Sequence, residues 1–273
     1  MQVDKTGKVS LGHIYTQPDP RPYFTTLRDV DYVIPQLAKP YFGKLIEEYR
    51  QAHRTRIPTV LDLGCSYGIN AALLKCDASM DELYDRYMGK AHLDHGTLLE
   101  RDRELVAGGL PNLRFVGLDA SRPALSYAHA AGFVDAAVNA DLEARDPTPG
   151  ECEILATADV VISTGCLGYI TEKTISRIVA ACGEHRPWMA HFVLRMFPFD
   201  PVADTLAAAG YRTHRREGMF RQRRFAGPLE QTKVLATLTD VGVDPTGLET
   251  EGWLYAELYI SRPEKRPDQR DLP

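Results

Sequence analysis

The chain has few cysteines and no long apolar run. Its 273 residues include five cysteines, none of which belongs to a Cys-x-x-Cys pair. This odd and unpatterned set argues against a disulfide framework or a zinc site, so we expect a reducing, cytoplasmic setting. No apolar run approaches the ~18 residues of a membrane span, and no apolar signal core follows Met1. The sequence therefore predicts a soluble protein that is not exported.

An excess of positive charge is also missing. Lysine and arginine number 32 against 37 aspartates and glutamates, which gives a formal net charge of −5. This balance argues against a nucleic-acid surface spread over the whole molecule. The hydrophobic content of 44% is sufficient for a full core. We expect one α/β domain with additions rather than two independent domains.

The most informative stretch lies between residues 60 and 70. An apolar strand at residues 60–63 runs into a turn flanked by Gly64 and Gly68, and a helical pattern follows. Glycine takes the positive φ values and allows the close backbone approach that a tight strand-to-helix turn needs. The helix would aim its unpaired N–H groups at the space beside the turn. This pattern predicts a nucleotide cradle.

Three further apolar runs end in polar residues. Residues 113–119 end at Asp119, residues 136–141 end at Asp141, and residues 158–165 form the third run. The carboxyl ends of parallel strands meet at one edge of a sheet, where an acidic residue accepts hydrogen bonds from ribose hydroxyls. The sequence therefore predicts four strand ends around one nucleotide site.

With these motifs the chain resembles the class I S-adenosylmethionine-dependent methyltransferase family over roughly residues 56–262. Residues 62–68 are similar to the family's first motif, with Ser66 where the family usually has its middle glycine. The resemblance implies S-adenosylmethionine as cofactor. It also implies a doubly wound, Rossmann-like α/β fold with a mostly parallel seven-stranded sheet and an antiparallel final pair.

The resemblance further implies which residues contact the cofactor. The turn at residues 64–68 would approach the methionine part, Asp119 the ribose, and Asp141 with Leu142 the adenine, while Asp62 would orient the turn or the amino group. The full implied cofactor-binding set is Asp62, Gly64, Cys65, Ser66, Gly68, Asn70, Asp119, Ala120, Asp141, Leu142, Ser163 and Thr164.

Additions surround the core predicted at residues 57–262. Residues 1–56 would form an N-terminal cap over the cofactor mouth, irregular at residues 14–24 because of three prolines and helical at residues 40–52. An insert at residues 77–111 has helical apolar spacing and would form one or two lid helices. The tail at residues 263–273 is polar and is predicted to be disordered. In the cap, Tyr15 and Tyr23 are candidate substrate or lid contacts, or they merely pack the cap on the core.

Two reactions fit such a site. The first is methyl transfer to a separate small molecule, as in secondary metabolism. The second is attack of the cofactor's own α-amine on its γ-carbon, which gives azetidine-2-carboxylate and methylthioadenosine. A small branch with this fold performs the second reaction, and the chain resembles it loosely through the proline-aromatic cap and Ser66. Tyr169, which follows the fourth strand, and Asn139 are the candidate catalytic residues, although Tyr169 is equally suited to structural packing.

Other classes of protein remain open. Residues 64–68 also match G-x-S-x-G, the nucleophile elbow of serine hydrolases, with Ser66 as nucleophile and Asp200 and His214 as partners. That fold places several strands before its elbow, and the N-terminal segment offers none. A non-catalytic cofactor-binding protein is the third reading.

Two charged features complete the sequence. His92 and His95 lie at a spacing compatible with metal ligation, but no companion ligand pattern is present, so no metal site is expected. Six arginines between residues 212 and 224 would form either a solvated hairpin or a site for an acidic partner, a carboxylate or a phosphate. These six are Arg212, Arg215, Arg216, Arg221, Arg223 and Arg224.

Overall fold

A single sheet forms the centre of the molecule. The computed structural model describes residue 4 and residues 6–264. The strands are β1 (Thr59–Leu63), β2 (Arg114–Leu118), β3 (Ala136–Val138), β4 (Val160–Thr164), β5 (Trp188–Leu194), β6 (Tyr211–Arg215), β7 (Phe220–Arg224) and β8 (Trp253–Pro263). Their order is β3-β2-β1-β4-β5-β8-β6, and β7 also pairs with β8.

The sheet has seven positions, as predicted. Strands β1 to β5 are parallel, and β8 runs antiparallel to β5. Ala256 of β8 pairs with Leu194 of β5 on one side and with Phe220 of β7 on the other, so β6 and β7 share the last position. The prediction of a doubly wound, mostly parallel sheet with antiparallel final strands is confirmed.

Helices cover both faces of the sheet. They are α1 (Gly12–Tyr15), α2 (Arg21–Arg28), α3 (Ile34–His53), α4 (Ile69–Lys75), α5 (Met80–Tyr87), α6 (His95–Ala107), α7 (Arg122–Ala130), α8 (Pro149–Leu155), α9 (Glu172–Cys182), α10 (Asp200–Ala208) and α11 (Pro228–Asp240). One face packs on α3, α4 and α7, and the other packs on α8, α9 and α10. All five residues of β1 are buried, as expected for a central parallel strand covered on both faces.

The cap is more regular than the sequence indicates. Residues 14–24 were expected to be irregular, yet α1 and α2 occupy much of this stretch. Pro22 lies in the first turn of α2, where a missing N–H costs no hydrogen bond. The third helix begins at Ile34 rather than at residue 40, and Pro40 lies inside it.

The insert forms two helices, α5 and α6, as predicted. A capping box begins α5, in which Ser79 and Glu82 bond reciprocally. The Tyr84 hydroxyl donates to the Tyr32 carbonyl at 2.8 Å, and Arg21 Nη1 donates to the Leu93 carbonyl at 2.8 Å. The insert therefore packs against the cap, and its role as a lid stays a prediction.

The carboxyl-terminal half also contains two elements that the sequence did not predict, β7 and α11. Helix α9 begins after Thr171, whose side chain accepts from the Lys173 N–H. The last strand extends to Pro263, so that residue is not part of a disordered tail. The remainder of the predicted tail, residues 265–273, lies outside the described residues. In the part of the chain that is described, no helix is both long and apolar enough to cross a bilayer.

Candidate functional site

A cavity of about 460 Å³ lies at the carboxyl edge of β1, β2 and β4, under the N-terminal cap. Its lining comes from the cap, from the loops after these strands, and from β7. The lining residues are Asp4, Lys8, Val9, Ser10, Leu11, Gly12, Tyr15, Tyr23, Leu27, Tyr32, Pro35, Gly64, Cys65, Ser66, Ile69, Asn70, Asp119, Thr164, Gly165, Cys166, Tyr169, Gln222 and Arg223.

The loop after β1 is held in a narrow turn. Gly64 has φ +65°, and a Cβ placed on it would lie 2.8 Å from Cys166 Cβ, so only glycine fits. Its N–H donates to the Leu118 carbonyl at 2.8 Å, which ties the loop to β2. Ser66 takes φ +50°, a left-handed conformation that L-residues seldom adopt. Ser66 therefore occupies a conformation that glycine would adopt with less strain.

Asp119 faces the same cavity as this loop. Its Oδ2 accepts from the Ser66 N–H at 2.8 Å, and its Oδ1 accepts from the Ser121 N–H at 2.7 Å. Burial raises the pKa of Asp119, and these two backbone donors oppose that shift. The expectation that Ser66 and Asp119 border one cavity is confirmed.

Asp62 lies beneath the loop and does not line the cavity. Its Oδ1 accepts from Asn70 Nδ2 at 2.9 Å, and its Oδ2 is buried without a partner among the described residues. Burial raises the pKa of Asp62 to about 7, although the Asn70 hydrogen bond opposes the shift. Asn70 does line the cavity, and its Oδ1 is likewise buried and unpartnered there. The pair Asp62–Asn70 thus fixes the direction of an acceptor in the cavity wall.

The N-terminal cap covers the cavity. The Tyr67 hydroxyl donates to the carbonyls of Ile14 and Gln17 at 2.9 and 3.0 Å. The Ser121 hydroxyl donates to the Tyr15 carbonyl. The rings of Tyr15 and Tyr23 meet edge to face with centroids 5.7 Å apart, and burial raises the pKa of Tyr15 to about 12. Both predicted cap tyrosines therefore face the cavity, as neutral phenols near neutral pH.

Tyr169 is bonded to the N-terminal segment. Its hydroxyl donates to Asp4 Oδ2 at 2.7 Å, and Lys8 Nζ lies 5.0 Å from the centre of its ring. Burial raises the pKa of Tyr169. Tyr169 lines the cavity, in agreement with its predicted position. Its proposed role in orienting a nucleophile stays a prediction.

Several predicted residues lie outside the cavity. Asn139 is exposed, and its Nδ2 donates to the carbonyls of Asp119 and Ala120 at 2.9 and 3.2 Å. Its side chain therefore stabilises the backbone of the loop after β2. Ser163 is fully buried, with its Oγ 2.8 Å from His191 Nδ1. Gly68 begins α4 at φ +83°, and a Cβ there would meet Phe133.

The predicted adenine segment, Asp141 and Leu142, is not part of the cavity lining either. Asp141 is exposed, and its Oδ1 accepts from the N–H groups of Glu143 and Ala144. Leu142 is buried in the core on the α9 face of the sheet. Contacts of Ala120, Asp141 and Leu142 with a nucleobase stay a prediction.

Sequence reasoning missed several polar or aromatic lining residues as site residues, among them Lys8, Tyr32, Gln222 and Arg223. Lys8 lies in a polar lead without pattern, and Arg223 was considered only as part of the arginine cluster. Arg223 donates to both oxygens of Glu230, at 2.9 and 2.6 Å, and Glu230 is almost fully buried. Glu230 of α11 bonds both Val9 and Arg223, and the Gln222 carbonyl accepts from the Val33 N–H, so these residues meet only through contacts distant in sequence.

The structure does not assemble the serine hydrolase site. The Ser66 hydroxyl is buried without a hydrogen-bond partner in the described ranges, 4 and 6–264. His214 lies instead in a surface groove with Arg212 and Arg216. The reading of Ser66 as an activated nucleophile is therefore wrong in this fold.

The two histidines of the insert do not share a helix face. His92 lies in the turn before α6, whereas His95 lies in its first turn with its ring 5.7 Å from that of Tyr127. Across the described residues, no three histidine, cysteine or acidic side chains are arranged to hold a metal ion.

The arginines between residues 212 and 224 are spread over different surroundings. Arg215 pairs with Glu257, Arg223 with Glu230 and Arg224 with Asp31. Arg221 and Arg224 both lie over the Trp253 ring. They form no single patch, and an acidic partner for them stays a prediction.

Comparison with known proteins gives distant structural likenesses. The plantazolicin methyltransferase BamL, solved with a desmethyl plantazolicin analogue and S-adenosylhomocysteine, is 10% identical, with 84% of this chain and 86% of that chain covered and a TM-score of 0.43. Magnesium protoporphyrin IX methyltransferase from Synechocystis, solved with S-adenosylmethionine, is 10% identical, with coverage of 82% and 79% and a TM-score of 0.37. Precorrin-6y C5,15-methyltransferase from Geobacter metallireducens is 10% identical, with coverage of 80% and 86% and a TM-score of 0.39. No protein-family model and no curated protein sequence matches the chain.

Proposed function

We propose that the protein is an S-adenosylmethionine-dependent enzyme that transfers a methyl group to a small molecule. One observation carries the proposal: the Ser66 N–H donates to Asp119 Oδ2, and both residues border one cavity at the carboxyl edge of a parallel sheet. Ligands of doubly wound sheets bind in this crevice, where an acidic residue after the second strand suits ribose hydroxyls. The three structurally similar proteins described above are methyltransferases, in agreement with this proposal.

The residues present fit the cofactor. Three buried oxygens in the lining have no partner among the described residues: Ser66 Oγ, Asn70 Oδ1 and Gln222 Oε1. Buried acceptors without donors are costly, so they favour a ligand that brings N–H groups, such as an α-ammonium. The aromatic rings of Tyr15, Tyr23 and Tyr32 offer π faces for a sulfonium cation.

When bound, S-adenosylmethionine supplies a methyl group that its sulfonium already activates, so positioning dominates the protein's contribution. Asp119 would hold the ribose, and the loop at residues 64–66 would hold the amino-acid end. The part of the cap at residues 6–15 would exclude water from above. The Tyr169 hydroxyl already donates a hydrogen bond to Asp4. Tyr169 would therefore orient a methyl acceptor through its ring rather than through its hydroxyl.

Ring closure of the cofactor to azetidine-2-carboxylate is the second candidate. The cavity of about 460 Å³ lies in the lower half of the ~300–1,000 Å³ range of small-molecule sites, which suits a reaction without a separate acceptor. The same three unpartnered oxygens would orient an amine.

Titration calorimetry with S-adenosylhomocysteine tests cofactor use, and adenosine monophosphate serves as the control ligand. We expect a Kd of about micromolar or tighter for the first and much weaker binding of the second. Absence of binding by S-adenosylmethionine, S-adenosylhomocysteine and methylthioadenosine would overturn the proposal.

Incubation with S-adenosylmethionine alone separates the two reactions. Mass spectrometry of the released nucleoside should find little product for a methyltransferase without acceptor. Steady release of methylthioadenosine in enzyme-dependent amounts would favour the cyclase and contradict methyl transfer.

A further inference from the structure

The cavity contains one buried cation without a carboxylate partner. Lys8 and Arg223 are the basic side chains of its lining. Arg223 forms a bidentate ion pair with Glu230. Lys8 is 7% exposed, and the ion pairs of lysines in the described ranges do not involve it. The two carboxylates that act on Lys8, those of Asp4 and Glu230, are already bonded by Tyr169 and Arg223, so Lys8 is the basic group of this cavity that most needs a further anion.

The position of Lys8 is fixed from both sides. The Val9 N–H donates to Glu230 Oε1 at 2.7 Å, and the Asp4 N–H donates to the Lys8 carbonyl at 2.7 Å. Asp4 in turn accepts from the Tyr169 hydroxyl. The Lys8 ammonium also lies over the Tyr169 ring. This anchoring presents the charge to the cavity from a defined place.

Two sets of polar groups in the cavity matter for a charged ligand. The acceptor set comprises the unpartnered oxygens of Ser66, Asn70 and Gln222 and the carboxylate of Asp119. The second set is the cation of Lys8. An α-amino-acid group carries an ammonium for the first set and a carboxylate for the second, so its charges match those of the wall.

We propose that Lys8 binds the carboxylate of an α-amino-acid group in this cavity; the inference rests on the proposed function, under which that group is the methionyl end of S-adenosylmethionine. The contact would also hold the N-terminal segment closed over the ligand. Lysine at this position would thus couple recognition of the cofactor to closure of the site.

The proposal carries a pH dependence. Burial, aided by the charge of Arg223, lowers the pKa of Lys8 to about 8. The charged or titratable groups that face Lys8 are Asp4, Cys166, Tyr169, Arg223 and Glu230. Lys8 therefore loses its charge as the pH rises through about 8, and its attraction for a carboxylate is lost with it.

The test compares two ligands that differ only in the carboxylate, S-adenosylhomocysteine and its decarboxylated analogue, by titration calorimetry near pH 7. The variants are Lys8→Met, Lys8→Arg and, as a matched control, Lys233→Met, which removes an exposed lysine next to the same segment. An affinity tag belongs at the carboxyl terminus, so that the N-terminal segment is native.

We expect the wild-type protein to prefer S-adenosylhomocysteine at least tenfold over the analogue. The preference should fall below twofold in Lys8→Met, return in part in Lys8→Arg, and stay unchanged in Lys233→Met. In the wild type the preference should also decline between pH 7 and pH 9.

Equal affinity of the wild type for both ligands would overturn the role of Lys8 even if Lys8→Met failed to fold. A wild-type preference that persists in folded Lys8→Met would also overturn it. Either outcome leaves the proposed function intact, because S-adenosylhomocysteine still binds. Failure of the wild type to bind either ligand would overturn both proposals.

Discussion

The floor of the cavity and its cover are built in different ways. The floor consists of the loops after β1, β2 and β4, where each polar group directly follows a strand. The cover consists of residue 4 and residues 6–15 together with β7 and the start of α11. The bond from the Val9 N–H to Glu230 joins positions 221 residues apart. Recognition on the floor is therefore encoded locally, whereas the cover exists only in the folded chain.

The two sides also differ in charge. The floor contributes Asp119, with Asp62 beneath its loop, and burial raises the pKa of each. The cover contributes Lys8 and the buried pair of Arg223 with Glu230. A ligand held between them meets acceptors below and a cation above, which favours a zwitterionic end group.

The largest expected effect is on the cover. Glu230 accepts from Arg223, Val9 and Ala226. Glu230→Gln keeps the volume but leaves Arg223 buried without its counter-charge, which we expect to cost about 3–5 kcal/mol of unfolding free energy. Urea denaturation measures this loss. Hydrogen exchange at the Val9 amide should accelerate more than global unfolding explains, because the anchor of the segment is weakened.

Glu249→Gln is the matched control for this change. Glu249 forms another largely buried pair, with Arg195 at 2.5 Å, and does not touch the N-terminal segment. It should lower stability similarly but leave the affinity for S-adenosylhomocysteine unchanged in the folded protein. If both variants affected Val9 exchange equally, Glu230 would have no special role in the cover.

On the floor, Asp119→Ala should weaken S-adenosylhomocysteine binding by about 1–3 kcal/mol, because paired donors lose a charged acceptor. The change also removes the acceptor of the Ser66 N–H and so loosens the loop. Calorimetry measures the affinity, with Asp146→Ala as control, since that carboxylate is 82% exposed and pairs with Arg177. Unchanged affinity in Asp119→Ala would contradict the assignment of the floor.

The contrast explains what the sequence could predict. The strands, the turn at residues 64–68 and Asp119 were identifiable because a strand period and a glycine pattern are local signals. Pairing of Arg223 with Glu230, and the place of Lys8 and Gln222, depend on how α11 and the N-terminal segment pack. Proline in the first turn of α2 was read as a breaker although the first turn tolerates it.

The floor should also control how stability changes with pH. Asp62 has a pKa raised by burial from 3.8 to about 7, so its contribution is full below pH 3.8 and is lost as the pH rises to about 7. His191 acts in the opposite direction, because burial lowers its pKa to about 3 and its contribution is lost as the pH falls below 6.5.

Asp62→Asn removes the first contribution and leaves the second. The unfolding free energy of the variant, relative to the wild type, should therefore increase as the pH rises from about 4 to about 7. Urea denaturation at several pH values measures the difference. Parallel curves for the two proteins would show that Asp62 is ionised in the folded state throughout this window.

The smallest expected effect is that of Ser66→Gly, which distinguishes backbone strain at this residue from a role in ligand binding. Ser66 lies at φ +50°, which costs an L-residue about 1–2 kcal/mol, while glycine adds unfolded-state freedom worth about 0.4–1 kcal/mol. Ser66→Gly should therefore raise stability by up to about 1 kcal/mol. The variant also lacks the Ser66 Oγ, which could accept a hydrogen bond from the ligand. S-adenosylhomocysteine should therefore bind about threefold to tenfold more weakly.

Arg54→Gly provides the control, because exposed Arg54 has φ +54° at the end of α3 and lies outside the cavity lining. It should bring a similar gain in stability without a change in affinity. If Ser66→Gly gained stability and kept full affinity, the serine would be a strained substitute for glycine with no part in binding. Recognition of the amino-acid end would then rest on Asn70 below and on the cover above.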